Sequence, residues 1–167
     1  VGRTSGNLDE AFAGESKANR MYTAFARKAD EEGHKGIARL FRAAAAAETV
    51  HALNHLNATD GVKDTVENLK LAVHGEHHEF QSMYPAFIKD AEEEGAKGAK
   101  WTFEVASKVE EIHHRLYSAA LEALEKGEEV PETDYYVCGI CGNTVEGEPP
   151  DKCPICGAAK SKFMKIE

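Results

Sequence analysis

The chain repeats itself. The stretch ADEEGHKGIARLF at 29–41 returns as AEEEGAKGAKWTF at 91–103, an offset of 62 residues. The same offset carries Glu48 and His51 onto Glu110 and His113, and Tyr22 and Phe25 onto Tyr84 and Phe87. Each copy holds two long stretches with apolar residues three and four apart, the spacing of an amphipathic helix. One helical hairpin is therefore used twice, and two such hairpins predict a four-helix bundle with a pseudo-twofold axis.

Punctuation along the chain marks the helices. Asn7, with Glu10 three residues later, reads as the cap of a first helix that runs to Gly33. A second fits 35–58, closed by Asp60-Gly61. Thr65 is placed to cap a third that ends at Gly95, and a fourth fits 96–126, ended by Gly127. The character then changes. EEVPETD at 128–134 is short, acidic and interrupted by Pro131, as a linker is. Residues 135–167 centre on four cysteines and are too few to fold on an apolar core alone. The expected fold class is mainly α: a bundle at 1–127, a linker at 128–134, and a small metal-knuckle domain at 135–167.

Composition narrows the partners. A net charge of −9 over 167 residues argues against nucleic acid and against an anionic membrane face. No run of about 18 apolar residues is present to span a bilayer, and no apolar signal segment opens the sequence. All four cysteines lie between Cys138 and Cys156, leaving none for a disulfide elsewhere. That usage fits a reducing compartment, the cytoplasm, and a metal site.

The helical seams hold the wrong residues for a core. Helix 1 presents Leu8, Ala11, Glu15, Ala18, Tyr22, Phe25 and Ala29 on one face. Helix 2 presents Ile37, Phe41, Ala44, Glu48, His51 and His55. The third presents Leu69, Val73 and Glu76, with Glu79 one turn on. The fourth presents Phe103, Ala106, Glu110, His113, Tyr117, Ala120 and Leu124. Burying one unpaired carboxylate costs several kcal/mol, and several together cost far more. No cluster of seam Lys or Arg answers them, so the missing positive charge is a metal. Glu-x-x-His sets two ligands on one helix face, one turn apart. Two such pairs, with single glutamates from the other two helices, match the di-iron carboxylate site of ferritin-like bundles, a standard example of a metal site built inside a bundle. Carboxylate with imidazole suits iron or manganese, and zinc is a possible replacement. His34, His55, His74, His77, His78 and His114 read as exposed or core-edge residues. The alanine run at 43–47 reads as close-packing material, and Trp101, Phe103 and Met83 as core.

The module carries CGICG at 138–142 and CPICG at 153–157. Four thiolates at this spacing make a tetrahedral site for zinc or a single iron. A glycine after each pair leaves room for backbone N–H groups to approach sulfur. A structural zinc ribbon and a redox-active iron site are both compatible with that spacing.

AFAGES (11–16), AETVH (47–51), GEHHEFQSMYP (75–85) and VEEIHHRLY (109–117), followed by a rubredoxin-like four-cysteine module, together resemble rubrerythrin over nearly the whole chain. The resemblance implies two non-haem irons held by Glu15, Glu48, His51, Glu76, Glu79, Glu110 and His113, and one iron held by Cys138, Cys141, Cys153 and Cys156. Glu79 is the seventh ligand, where a generic ferritin-like site needs six. One iron is expected to move between His51 and Glu79 as its oxidation state changes, and Tyr22 and Tyr84 to hydrogen-bond ligand carboxylates. The implied activity is peroxide reduction, protecting an anaerobe or microaerophile from oxidative stress, with electrons from a rubredoxin or an NAD(P)H reductase relayed through the sulfur-bound iron. A ferroxidase and a zinc-filled scaffold are the competing readings. Storage would not need the cysteine module, and a scaffold would not need Glu79.

The repeat is imperfect at one point. Glu15 to Tyr22 is seven residues, whereas Glu76 to Tyr84 is eight. One extra residue inside a helix predicts a π-bulge, helped by Pro85, which has no N–H to offer Gln81. The connection between helices 2 and 3 also carries an expectation. In ferritin-like topology these helices run parallel, so their connection must travel back along the bundle. That is a span of about 25 Å, and the seven residues 59–65 reach only about 25 Å when fully stretched. A homodimer with swapped helix pairs relieves the strain: helices 1 and 2 of one chain would pack with helices 3 and 4 of the other.

Overall fold

The computed structural model describes residues 2–167. In chain order the helices are α1 (Arg3–Glu31), α2 (Lys35–Ala58), α3 (Thr65–His78), α4 (Tyr84–Glu93) and α5 (Lys97–Glu125). A π-helical turn, Glu79–Met83, joins α3 to α4 without a break. Strands β1 (Tyr135–Cys138), β2 (Thr144–Glu146) and β3 (Phe163–Ile166) follow, with a 3-10 turn at Lys160–Lys162. Among the described residues no helix is long and apolar enough to cross a membrane.

The stops are where the sequence places them: Gly33, Gly95 and Gly127 each follow a helix with positive φ. Two starts differ. α1 begins at Arg3, capped by Gly2 without a side-chain bond, rather than at Asn7. A cap is worth about 1 kcal/mol, and nothing before Asn7 forbids helix, so the helix runs through it. For α3 the cap is Asp64, not Thr65: its carboxylate accepts from the Glu67 N–H at 2.9 Å. An Asp also answers the positive helix N-terminus, which a Thr does not.

The chain divides into two compact units, one ending at Lys63 and one beginning at Asp64. In the first, α1 and α2 pair as a hairpin. Its tightest seam is made of alanines: Ala26 and Ala29 on α1, and Ala38, Ala45 and Ala52 on α2, are all buried. Small side chains let the helix axes approach closely. Asn19 ties the seam by donating to the Ala45 carbonyl at 2.6 Å and to Thr49 Oγ1 at 2.8 Å.

In the second unit, α3, the π turn and α4 lie along α5, with Ala91, Val105 and Val109 buried. The strands form an antiparallel sheet in the order β2-β1-β3. Tyr135 of β1 faces Glu146 of β2 and Ile166 of β3. Gly142 lies over α5: a Cβ on it would stand 3.9 Å from Val109 Cγ1.

The repeat is visible in three dimensions. Tyr22, Phe25 and Phe41 form an aromatic triplet with ring centroids 6.3, 6.1 and 5.5 Å apart. Tyr84, Phe87 and Phe103, each 62 residues later, form the second at 6.3, 6.2 and 5.5 Å. Within the single chain the seam is not fully buried: Phe25, Ile37, Phe87 and Tyr117 are exposed. A single hairpin has one helix–helix interface, so it buries its alanine seam and leaves the aromatic and carboxylate face open. Trp101, expected in the core, is 46% exposed.

Candidate metal centres

In the first unit Glu15 comes from α1, and Glu48 and His51 from successive turns of α2. One ligand atom of each lies within 4.8 Å of the others. His51 Nδ1 is 2.8 Å from Glu48 Oε2 and 4.0 Å from Glu15 Oε1. In the second unit Glu76 from α3, and Glu110 and His113 from α5, make the same figure. There His113 Nδ1 is 2.8 Å from Glu110 Oε2 and 3.7 Å from Glu76 Oε1. The Glu-x-x-His spacing sets the short distance in each triad, and packing of the neighbouring helix sets the longer one.

Electrostatics marks the second triad as short of positive charge. Burial, then the charge of Glu110 and a hydrogen bond between the two carboxyls, pushes Glu76 up to about 7. Glu79, at the start of the π turn, is raised by burial and by Glu110. Tyr84 is raised by burial and by Glu110, Glu79 and Glu76. His113 is raised by its hydrogen bond to Glu110 against the opposing effect of burial. Its other ring nitrogen, Nε2, is 2.8 Å from Thr144 Oγ1. A divalent cation within such a set replaces protons that the carboxylates otherwise need, so the donors fit a metal.

The sign of the Glu76 shift gives a test on metal-free protein. A carboxyl raised from 4.5 to about 7 costs nothing below its unfolded value. Its cost grows as pH climbs to the folded value and then stays constant. Glu76→Gln removes that cost. Between about pH 5 and about pH 8 the metal-free variant should lose less stability than the metal-free parent, read as denaturation midpoints. Equal slopes would contradict the shift.

Glu79 stands outside the tight triad but within electrostatic reach of Glu110 and His113. Tyr22 packs against Phe25 and Phe41. The histidines read as non-ligands lie outside all three metal-capable groups found among the described residues. His77 and His114 instead pack with Phe80, ring centroids 5.4–5.5 Å apart.

The cysteines form the third group. Cys138 and Cys156 sulfurs are 3.8 Å apart, and those of Cys141 and Cys153 3.6 Å. A tetrahedron with metal–sulfur bonds of about 2.3 Å has edges of about 3.8 Å, so the four sulfurs already stand at ligand spacing. Backbone N–H groups aim at them: Asn143 to Cys141, Ala158 to Cys156, and Ile155 and Cys156 to Cys153. Gly142 and Gly157, at φ 83° and 76°, turn the chain so that these amides face sulfur, a conformation closed to most residues. Burial raises Cys141 and Cys156. At Cys153 burial is the largest single effect and pushes upward, but the amides of Cys156 and Ile155, together with hydrogen bonds from the Cys141 and Cys156 thiols, outweigh it and bring the thiol down to about 7.

Neither Asn143 nor Thr144 stands out in the sequence. A polar pair after CxxCG reads as turn chemistry, and only folding carries the Asn143 amide to 3.6 Å from Cys153 Sγ and the Thr144 hydroxyl to His113.

Two matched triads of two glutamates and a histidine on repeated hairpins, together with an amide-wrapped four-cysteine knuckle, define a non-haem metalloprotein that joins a carboxylate-bridged centre to a rubredoxin-like one. Comparison with known proteins agrees. The rubrerythrin family model matches residues 6–121, and the model for the rubrerythrin rubredoxin-like domain matches 136–164. Rubrerythrin-2 of Clostridium acetobutylicum is 33% identical, covering 96% of this chain and 95% of its own. Nigerythrin of Nitratidesulfovibrio vulgaris is 40% identical over 98% of this chain and 86% of its own. The solved structure of nigerythrin in a partially reduced state superposes with a TM-score of 0.58 at 36% identity, covering 99% of this chain and 88% of that one. The chain belongs to the rubrerythrin family of oxidoreductases, di-iron proteins of oxidative stress with a carboxylate-bound iron pair and a four-cysteine iron site.

Proposed function

We propose that this protein reduces hydrogen peroxide to water at its iron pair and is recharged through its four-cysteine iron. The observation that carries the reading is the coexistence, in one chain, of two matched Glu-Glu-His triads, an extra glutamate beside one of them, and a sulfur site wrapped in backbone amides. When bound, the iron pair supplies two electrons to an O–O bond in one event, which avoids releasing a radical. The residues hold and tune it. Glu15, Glu48, His51, Glu76, Glu79, Glu110 and His113 are its ligands, and Tyr22 and Tyr84 orient the carboxylates. Cys138, Cys141, Cys153 and Cys156 would hold the single iron, whose one-electron chemistry would link the pair to a rubredoxin or an NAD(P)H-linked reductase. The domains are 1–127, 128–134 and 135–167, and the working compartment is the cytoplasm.

His51 and Glu79 are the exchanging pair in this reading. The His51 side chain is 53% exposed against 27% for His113, and His113 alone of the two is gripped by Thr144. Glu79 opens the π turn, where one extra residue re-aims the side chains that follow.

The assembly proposed is a homodimer with swapped helix pairs, each iron pair drawing ligands from two chains. Two observations support it. Each triad is complete within its own unit. Only residues 59–64 connect α2 to α3, a stretch that reaches about 20 Å when fully extended.

Metal analysis of anaerobically isolated protein followed by stopped-flow oxidation tests the function. Reduced protein should react with H2O2 at least about tenfold faster than with O2, a difference of about 1.4 kcal/mol in barrier. Comparable rates would favour a ferroxidase.

A further inference from the structure

The cysteine knuckle touches the bundle centre of its own unit through one side chain. Thr144, first residue of β2, places Oγ1 2.8 Å from His113 Nε2 and 3.2 Å from the Gly142 carbonyl oxygen. A hydroxyl has one proton and two acceptor positions. The Gly142 carbonyl can only accept, so the Thr144 proton goes there, and Thr144 Oγ1 is left to accept from His113 Nε2. When a metal takes the place of the Nδ1 proton that Glu110 otherwise accepts, the imidazole keeps its proton on Nε2, and Nδ1 is the nitrogen turned to the metal. Nδ1 is also the atom that faces Glu110 Oε2 at 2.8 Å and Glu76 Oε1 at 3.7 Å.

The knuckle is built to hold Thr144 in place. Asn143, 2% exposed, donates its side-chain amide to Cys153 Sγ at 3.6 Å. Its carbonyl accepts from the Cys138 N–H at 2.9 Å. Val109, one turn before His113 on α5, is buried beneath Gly142. Thr144 therefore hangs from a frame anchored at sulfur on one side and on α5 at the other.

We propose that Thr144 is a positioning residue for the iron pair: its hydroxyl, oriented by the Gly142 carbonyl, fixes the tautomer and ring plane of His113. The cysteine module thus supplies an outer partner to a ligand in the bundle of the same chain, beyond any part it plays in carrying electrons. The proposal rests on the reading of His113 as a metal ligand, and concerns how that ligand is aimed.

The test uses the full chain loaded with zinc at both centres, which is diamagnetic. Imidazole 15N spectra should show His113 with Nδ1 on the metal and a slowly exchanging proton on Nε2. In Thr144→Val, which keeps the shape and removes the hydroxyl, that proton should exchange freely. Zinc affinity of the bundle centre, read by chelator competition, should fall about 10- to 100-fold, the usual cost of removing such an outer partner. Thr144→Ser should restore both readouts. Zinc binding that leaves the His113 resonances unmoved overturns the ligand assignment itself. A His113 bound to zinc through Nε2 overturns the positioning role in the parent protein, without any variant. So does a Thr144→Val protein of unchanged affinity, or a Thr144→Ser protein as impaired as the valine one.

Discussion

Glu110→Ala should empty the bundle centre, whereas Glu79→Ala should leave it filled and slow. Glu110 holds His113 at 2.8 Å and is among the first charges that raise Glu76, Glu79 and Tyr84. It is thus the common neighbour of every group in the second triad. Removing a proposed ligand in that position should cost more than the 10- to 100-fold typical of an outer partner, so bundle iron and peroxide turnover should fall by on the order of 10²-fold or more. The sulfur-bound iron, held elsewhere in the unit, should remain and report intact folding. Glu79 lies outside the tight triad, and its alanine variant should keep most of the iron but turn over about tenfold or more slowly. Metal analysis beside turnover separates the two. A Glu79→Ala protein with parental turnover would remove ligand exchange from the mechanism.

The proposed swapped dimer predicts complementation between two dead proteins. Glu48→Ala damages the triad of the first unit, and Glu110→Ala that of the second. Refolded separately, each variant has no intact centre. Refolded together, a swapped heterodimer pairs the undamaged first unit of one chain with the undamaged second unit of the other. Random pairing makes half the dimers mixed, each with one good centre of two, so about a quarter of the parental iron pairs and turnover should return. An unswapped arrangement returns nothing, because every centre then carries its own chain's defect. The contrast between about a quarter and zero does not depend on helix ends or loop strain.

The repeat, the helix stops and the candidate ligands are legible in the sequence because each rests on spacing along one helix. Glu48 with His51, and Glu110 with His113, are one turn apart wherever their helices lie, and the short 2.8 Å contact appears in both. The π turn at Glu79–Met83 is legible too: a repeat that gains one residue between two matched landmarks must absorb it inside the helix. The same holds for the knuckles, where Cys-x-x-Cys-Gly dictates a local turn and its amide–sulfur bonds.

What a hairpin buries is not legible in the same way. Heptad spacing puts the aromatic and carboxylate faces in the core, but within each unit the closest packing falls on small residues such as Ala38 and Ala91. Periodicity finds an apolar face. It does not say which of two adjacent faces meets the sister helix and which stays open for other helices. The cap at Asp64 rather than Thr65 is a smaller case, decided by which side chain reaches the Glu67 amide. Thr144 is the largest. Thirty-one residues separate it from His113, and no pattern along the chain connects a hydroxyl in a cysteine knuckle with an imidazole in a bundle. Local spacing determined which residues can be ligands, because covalent geometry along a helix or turn sets those distances. Tertiary packing alone decided what stands behind the candidate ligands, because that contact joins segments whose approach only the folded chain defines.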